Sequence, residues 1–175
     1  MTIIISLAIP SDAVSISLIN SQTWFDTYQS KEYGITEELV RSFPQDDHRR
    51  KTFIEKKEKE ISDNLGSYFI VRDDGKVIGY AHGKIYPTKP FNELSGIYLL
   101  PEYQRKGIGR QLAETVLHYL GKEKDAIVEV VGYNQRAINF YKKLGFVFVE
   151  ELEKFEITDG IWVPEIRMLK KISDL

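Results

Sequence analysis

At 175 residues, 42% of them hydrophobic, the chain is long enough for one substantial core and short for two, so residues 1–175 are expected to form a single domain. Its 24 basic and 26 acidic side chains nearly cancel, to a formal charge of -2, which leaves no overall basic field to draw nucleic acid. The absence of cysteine excludes disulfides, thiolate metal sites and a cysteine nucleophile together and fits a reducing, cytoplasmic setting. No apolar stretch reaches the roughly 18 to 20 residues that a membrane helix requires.

The run from Ile3 to Ile9 is expected to be a first strand rather than a signal peptide, since no basic residue precedes it and Pro10-Ser11-Asp12 follows at once. Ser11-Asp12 has the chemistry of an N-cap, and Val14, Ile16, Leu18, Ile19 and Trp24-Phe25 continue in helical rhythm toward Tyr28. Gly34 and Pro44 punctuate a connecting region. Asp46 to Leu65 reads as a charged helix with Phe53, Ile54, Ile61 and Leu65 near one stripe and its Lys and Glu residues in water. The period then changes: Tyr68 to Val71 and Val77 to Tyr86 read as strands of a hairpin turning at Asp73-Asp74-Gly75-Lys76.

Glu93 to Leu100 supplies another strand, followed by a helix from Gly107 to Leu120 in which Ile108, Leu112, Val116 and Leu120 recur at helical spacing and Gly121 marks the stop. Ala126 to Val131 is a short apolar strand and Gln135 to Leu144 an amphipathic helix ended by Gly145. Phe146 to Glu150 and Val163 to Leu169 complete the strands. Strands joined first by a hairpin and later by single helices predict an α/β fold with a mixed sheet and helices on its faces. The apolar final strand is a possible edge for a homodimer.

The chemistry concentrates in Leu94 to Arg110, a strand, a loop and the start of a helix. Amides at a helix start have no intrahelical acceptor, and the helix dipole places partial positive charge there, so a diphosphate can bind. Gly107 and Gly109 allow close approach, while Arg105, Lys106 and Arg110 add charge. No Gly-Lys-Ser/Thr ends the loop as in a P-loop, and the third glycine of a dinucleotide fingerprint would fall at Leu112.

What remains, Gln104-Arg105-Lys106-Gly107-Ile108-Gly109, resembles the acetyl-CoA signature Gln/Arg-x-x-Gly-x-Gly/Ala of the GNAT (general N-acetyltransferase) superfamily. A second block, Asn134-x-x-Ala137-x-x-Phe140-Tyr141-x-x-Leu144-Gly145-Phe146, resembles the superfamily's next conserved segment. The resemblance implies a mostly antiparallel, GNAT-like α/β (α+β) sheet, acetyl-CoA as cofactor, and transfer of its acetyl group to a primary amine in a ternary complex. It assigns Gln104 to Arg110, Ile108 included, to the diphosphate. It also implies that the strand at Tyr98, Leu99 and Leu100 bulges away from its neighbour and turns amides toward pantetheine and the acetyl carbonyl. Asn134 would contact the pantetheine, and Tyr141 would protonate the departing thiolate; Tyr141 packed against Phe146 is the alternative.

An alkyl amine with pKa near that of lysine, about 10.4, is neutral in only about one molecule in a few thousand at pH 7, so a base is needed. Glu93 is the candidate base, or else an exposed glutamate at a strand end. His82 is a second candidate, or is merely packed. No histidine pair has metal-ligand spacing and the reaction needs no metal. Trp24-x-x-Thr27-Tyr28, followed by Gly34-Ile35, resembles the N-terminal region of microbial spermidine/spermine acetyltransferases. On that likeness Trp24, Tyr28 and Glu32 would bind the acceptor, aromatic faces and carboxylates suiting a polycation. Another small amine, an aminoglycoside or a protein amine are the other acceptors. A regulatory acetyl-CoA-binding module is a different class, recognisable by N-terminal helices that block the acceptor cleft.

Overall fold

Seven strands form one sheet: β1 (Ile3–Leu7), β2 (Ser67–Asp73), β3 (Lys76–Lys84), β4 (Phe91–Leu99), β5 (Asp125–Val131), β6 (Val147–Thr158) and β7 (Ile161–Lys170), in the order β1-β2-β3-β4-β5-β7-β6. The computed structural model describes residues 2–42, 47–63, 67–158 and 160–171. Pro44, Asp46 and Leu65, read above as a punctuating residue and helix ends, lie outside them. Neighbouring strands are antiparallel except β4 and β5, and that parallel pair is joined, as it must be, by a crossover helix, α4 (Ile108–Leu120).

Helices α1 (Ala13–Tyr28) and α3 (Asp47–Ser62) cover one face of the sheet, where Asn20 donates to the Tyr80 hydroxyl and Lys57 to the Tyr68 hydroxyl. Helices α4 and α5 (Gln135–Lys143) cover the other. The apolar stripe of α4, made by Ile108, Leu112, Ala113, Val116, Leu117 and Leu120, is buried along its whole length. Each large side chain among them contributes about 1.5 to 3 kcal/mol by leaving water. The helix approaches so closely that a Cβ on Gly83 of β3 would stand 2.8 Å from Val116 Cγ1. A valine at position 83 would therefore push α4 off the sheet.

The β2–β3 hairpin turns where the sequence indicates, with Asp74 and Gly75 both at positive φ, as a type I′ turn requires. Four expectations are corrected. Asp12 stands at the N-cap of α1 as expected, but its side chain makes no cap bond there and instead holds the preceding turn, accepting from the Ile9 amide at 3.0 Å and from Arg72 at 2.6 Å. A short helix α2 (Glu37–Ser42) occupies part of the connection. β6 runs to Thr158 rather than ending at Glu150, because three register shifts break the two-residue alternation that would reveal it. Finally, β7 lies between β5 and β6 and offers no edge for a second copy; the edges are β1 and β6.

Candidate active site

The sheet opens at its centre. β4 and β5 are in register only from Phe91 to Glu93, against Asp125 to Ile127, after which β5 continues along β7 and β4 departs alone. The departure begins at a bulge: β3–β4 pairing passes from Gly83 with Leu94 to His82 with Gly96, leaving Ser95 as an extra residue. Beyond it the Leu100 amide donates to Ile78 of β3 at 3.0 Å. Because successive residues of a strand turn their backbone groups to opposite sides, the Leu99 and Ile97 amides face the gap. The Leu99 carbonyl, on that same side, accepts from Gln104 Nε2 at 2.7 Å. A bulge and a gap-facing amide at Leu99 are therefore present, but the amides of Tyr98 and Leu100 turn to β3; Tyr98 lines the cleft by its side chain, and Leu100 is buried away from it.

Gln104 to Gly107 leads from this strand into α4. The Gly107 carbonyl receives the first helical bonds, from Arg110 and Gln111, so the amides preceding Arg110 point from the helix start without an acceptor in that helix. Gly107 caps α4 at φ 82, a conformation that favours glycine. Gly109 has ordinary helical surroundings, and a Cβ there would meet only the Phe140 ring, at 3.7 Å. A glycine costs a helix roughly 0.5 to 1 kcal/mol relative to alanine, and here the protein's own packing does not require one. The bare backbone is consistent with close approach by a phosphate. Gln104, Arg105, Gly107, Gly109 and Arg110 line a cleft of about 690 Å³ together with Arg136, which the sequence reading missed. Arg136 also donates to Gln104 Oε1. Arg110 is shared with Glu114 at 2.7 Å. Lys106 and Ile108 stand away from the cleft: the Lys106 ammonium lies 5.4 Å above the Tyr103 ring, and Ile108 is buried in the core.

The far wall is α5. Asn134 caps it, accepting from the Ala137 amide at 3.0 Å, and its amide nitrogen reaches the Thr27 carbonyl of α1 at 2.9 Å. Asn134 thus faces the cleft with its side chain already committed to joining two helices. Tyr141 is 6% exposed, edge-on to Phe140 and Phe146, and lines the same cleft as Tyr98 and Leu99. Burial, with a contribution from Tyr98, pushes its pKa well above that of a free tyrosine, so it keeps its proton at neutral pH. Packing against Phe146 and access to the cleft coexist.

On the α1 side of the sheet the aromatic residues form a connected layer. Tyr80 stacks on Tyr98 with centroids 5.0 Å apart, the Tyr98 and Tyr28 hydroxyls meet at 3.3 Å, and Trp24 packs on Tyr28 at 5.2 Å. Trp24 and Tyr28 also pack against Ile35, Val131 and Val163, so they anchor α1 and face this layer together. His82 stacks on Tyr68 at 3.9 Å; burial first, and then Lys84 and Lys57, lower its pKa to about 4, so it is neutral and a weak base.

Glu93 is neither exposed nor poised. It is 8% exposed, bonded to Lys84 Nζ at 3.0 Å and to the Tyr86 hydroxyl at 2.5 Å. Burial acts to raise its pKa, but the Tyr86 and Lys84 contacts outweigh it and hold the carboxyl below the ordinary range. Glu32 lies exposed beside the Tyr33 hydroxyl and does not line the cleft. The acidic groups that do gather on this face are Glu93, Glu129 and Glu165. Glu165 escaped the sequence reading because only the β5–β7 register brings it there. Among the described residues no His, Asp or Glu cluster suits a metal, and no helix is long and apolar enough to cross a membrane.

A family model described as the acetyltransferase (GNAT) family matches residues 32–146. A mycothiol acetyltransferase of Streptomyces griseus subsp. griseus is 30% identical over 81 residues, which cover 45% of this chain and only 26% of that relative's length. Among solved structures, a spermidine N-acetyltransferase from Vibrio cholerae in complex with CoA and spermine superposes with a TM-score of 0.73, at 22% identity, over 98% of this chain and 96% of its own. The PaiA N-acetyltransferase from Thermoplasma acidophilum in complex with coenzyme A gives 0.71, at 24% identity, over 98% and 99%. At such identities these two structures establish a shared fold.

Proposed function

Because this chain belongs to the GNAT acetyltransferase family, we propose that it is an acetyl-CoA-dependent N-acetyltransferase acting on a primary amine, with residues 1–175 working as one unit. One observation carries the reading: a single cleft of about 690 Å³ is lined by the glycine loop, by Ile97, Tyr98 and Leu99 of β4 and by Tyr141. The amides ahead of Arg110, with Arg105, Arg110 and Arg136, suit a diphosphate. Bound acetyl-CoA supplies an activated acetyl thioester. The Leu99 amide, aimed into the gap, is placed to stabilise negative charge on a carbonyl oxygen. Tyr141, neutral and facing the cleft, is the proton donor to the leaving sulfur. The amine nitrogen forms the new bond to carbon as the carbon–sulfur bond breaks, with no covalent enzyme intermediate, and the proton it sheds in becoming an amide restores, through water, the one that Tyr141 gives to sulfur.

For the acceptor we favour a polyamine such as spermidine or spermine. The layer of Trp24, Tyr28, Tyr80 and Tyr98, with Glu93, Glu129 and Glu165 on the same face, offers cation-π and ionic contacts to a polycation. Thr23, Asp26 and Thr27 of α1 line the cleft rather than fill it, which favours an enzyme over a blocked sensor. The test is an acceptor screen that measures free CoA release with spermidine, spermine, aminoglycosides and peptides. Spermidine or spermine is expected to give the fastest release. Preferential release with an aminoglycoside or a peptide overturns the polyamine assignment, and a folded sample that binds no acetyl-CoA overturns the enzyme.

A further inference from the structure

Building on the transferase reading above, we infer that Glu165 of β7, and not Glu93, receives the proton of the incoming ammonium group and selects for cationic acceptors. Strand register places three carboxylates on the α1 face: Glu93 on β4, Glu129 opposite Arg167, and Glu165 opposite Val131. Two of them are already occupied. Glu93 is held by Lys84 and Tyr86. Glu129 Oε1 receives both Nε and Nη2 of Arg167, at 3.2 and 2.7 Å, and the remaining arm of that guanidinium goes to Glu150 at 2.5 Å.

Glu165 differs from both. Half-buried, it makes no side-chain hydrogen bond or ion pair among the described residues, and its carboxylate oxygens are not sealed from water. Its surroundings are Val131 of β5 and Leu152 of β6 as register partners, Tyr28 of α1 within electrostatic reach, the negative charges of Glu129 and Glu93, and Arg167 as the opposing positive charge. A partly desolvated carboxylate with no partner destabilises a fold, and a protonated amine supplies the missing counter-charge. Burial first, then Glu129 and Glu93, raise its pKa to about 7, against the pull of Arg167. A base is most effective when its pKa lies near the operating pH. One proton passes from R-NH3+ to the Glu165 carboxylate, leaving R-NH2 with a free lone pair; the resulting carboxylic acid returns that proton to water after product departs.

Carbon-13 NMR of the full chain, free of ligand and labelled at glutamate carboxyls, is expected to show one group titrating near pH 7. That signal should vanish in Glu165→Gln and move to lower pH in Glu93→Gln, which removes a repelling charge. Stability gives an independent reading. Since the folded pKa exceeds the unfolded one, the folded state holds the extra proton between them, and stability falls as pH rises through about 7. Glu165→Gln is therefore expected to raise the melting temperature at pH 8 more than at pH 5, whereas a residue kept for structure would lower it.

With spermidine as the probe, Glu165→Gln should reduce kcat about 100-fold or more and abolish the acidic limb of the pH profile, with acetyl-CoA affinity unchanged. A Glu165 carboxyl that titrates below pH 5.5 overturns the inference, as does a Glu165→Gln variant that keeps the wild-type rate and limb. Failure of the wild type to acetylate any amine in the screen instead sinks the transferase reading, and the carboxyl titration still decides whether Glu165 is poised.

Discussion

The cleft and the aromatic and acidic face that adjoins it, the two halves of the proposed site, are built from different materials. The cofactor half, from Leu99 through Gly109, uses consecutive residues and chiefly backbone groups: gap-facing amides on β4 and the open start of α4. The face proposed for the acceptor, joined to the cleft through Tyr98, uses side chains from distant parts of the chain, Tyr28 and Trp24 on α1, Tyr80 on β3, Glu93 on β4, Glu129 on β5 and Glu165 on β7. Backbone can be aimed by a local turn, whereas side chains from five elements meet only after the whole sheet has assembled. The glycine-loop half is therefore a local product of the sequence, and the aromatic and acidic half is a property of the tertiary fold.

Substitutions should separate the halves. The largest effect is expected from Gly109→Trp, which projects an indole into the cleft and should abolish acetyl-CoA binding; calorimetry on a folded sample checks it, and a wild-type isotherm would break the assignment of that half. Tyr141→Phe sits where the halves meet. It should lower turnover by roughly 10²-fold with little change in acetyl-CoA affinity, measured as kcat beside a binding isotherm, and an unchanged kcat would remove the proposed acid. Because Tyr141 holds its proton well beyond the normal tyrosine range, the acidic limb of the wild-type profile should persist in this variant at reduced height. The smallest effect is expected from Asn134→Ala, which removes the α5 cap and the bond to Thr27 that ties the halves together. It should cost about 1 kcal/mol of stability, read by denaturant titration, and weaken acetyl-CoA binding only modestly.

This division also explains how much was legible before the structure. Ile108, Leu112, Val116 and Leu120 announce α4 because a helical period is written within the helix itself, and all of them are buried. The loop from Gln104 to Gly109 is equally local. Asn134 and Tyr141 were found as cleft residues, but the bond from Asn134 to Thr27 crosses more than a hundred positions and leaves no mark in sequence. Glu93 drew notice as an acidic residue on the central strand, while the Lys84 and Tyr86 contacts that lower its pKa arise from strand pairing and the loop that follows β3. Glu165 was hidden inside an ordinary apolar strand. The full length of β6 was hidden in turn by bulges that scramble its alternation.

Ser95 has a consequence beyond its own position. It is one supernumerary residue on β4, with Leu94 and Gly96 keeping their opposite orientations on either side of it. Without it the strand would run straight, its outer backbone groups would zip onto β5, and the central floor would be continuous. The opening between β4 and β5 thus exists because two neighbouring strands differ in count by a single amino acid.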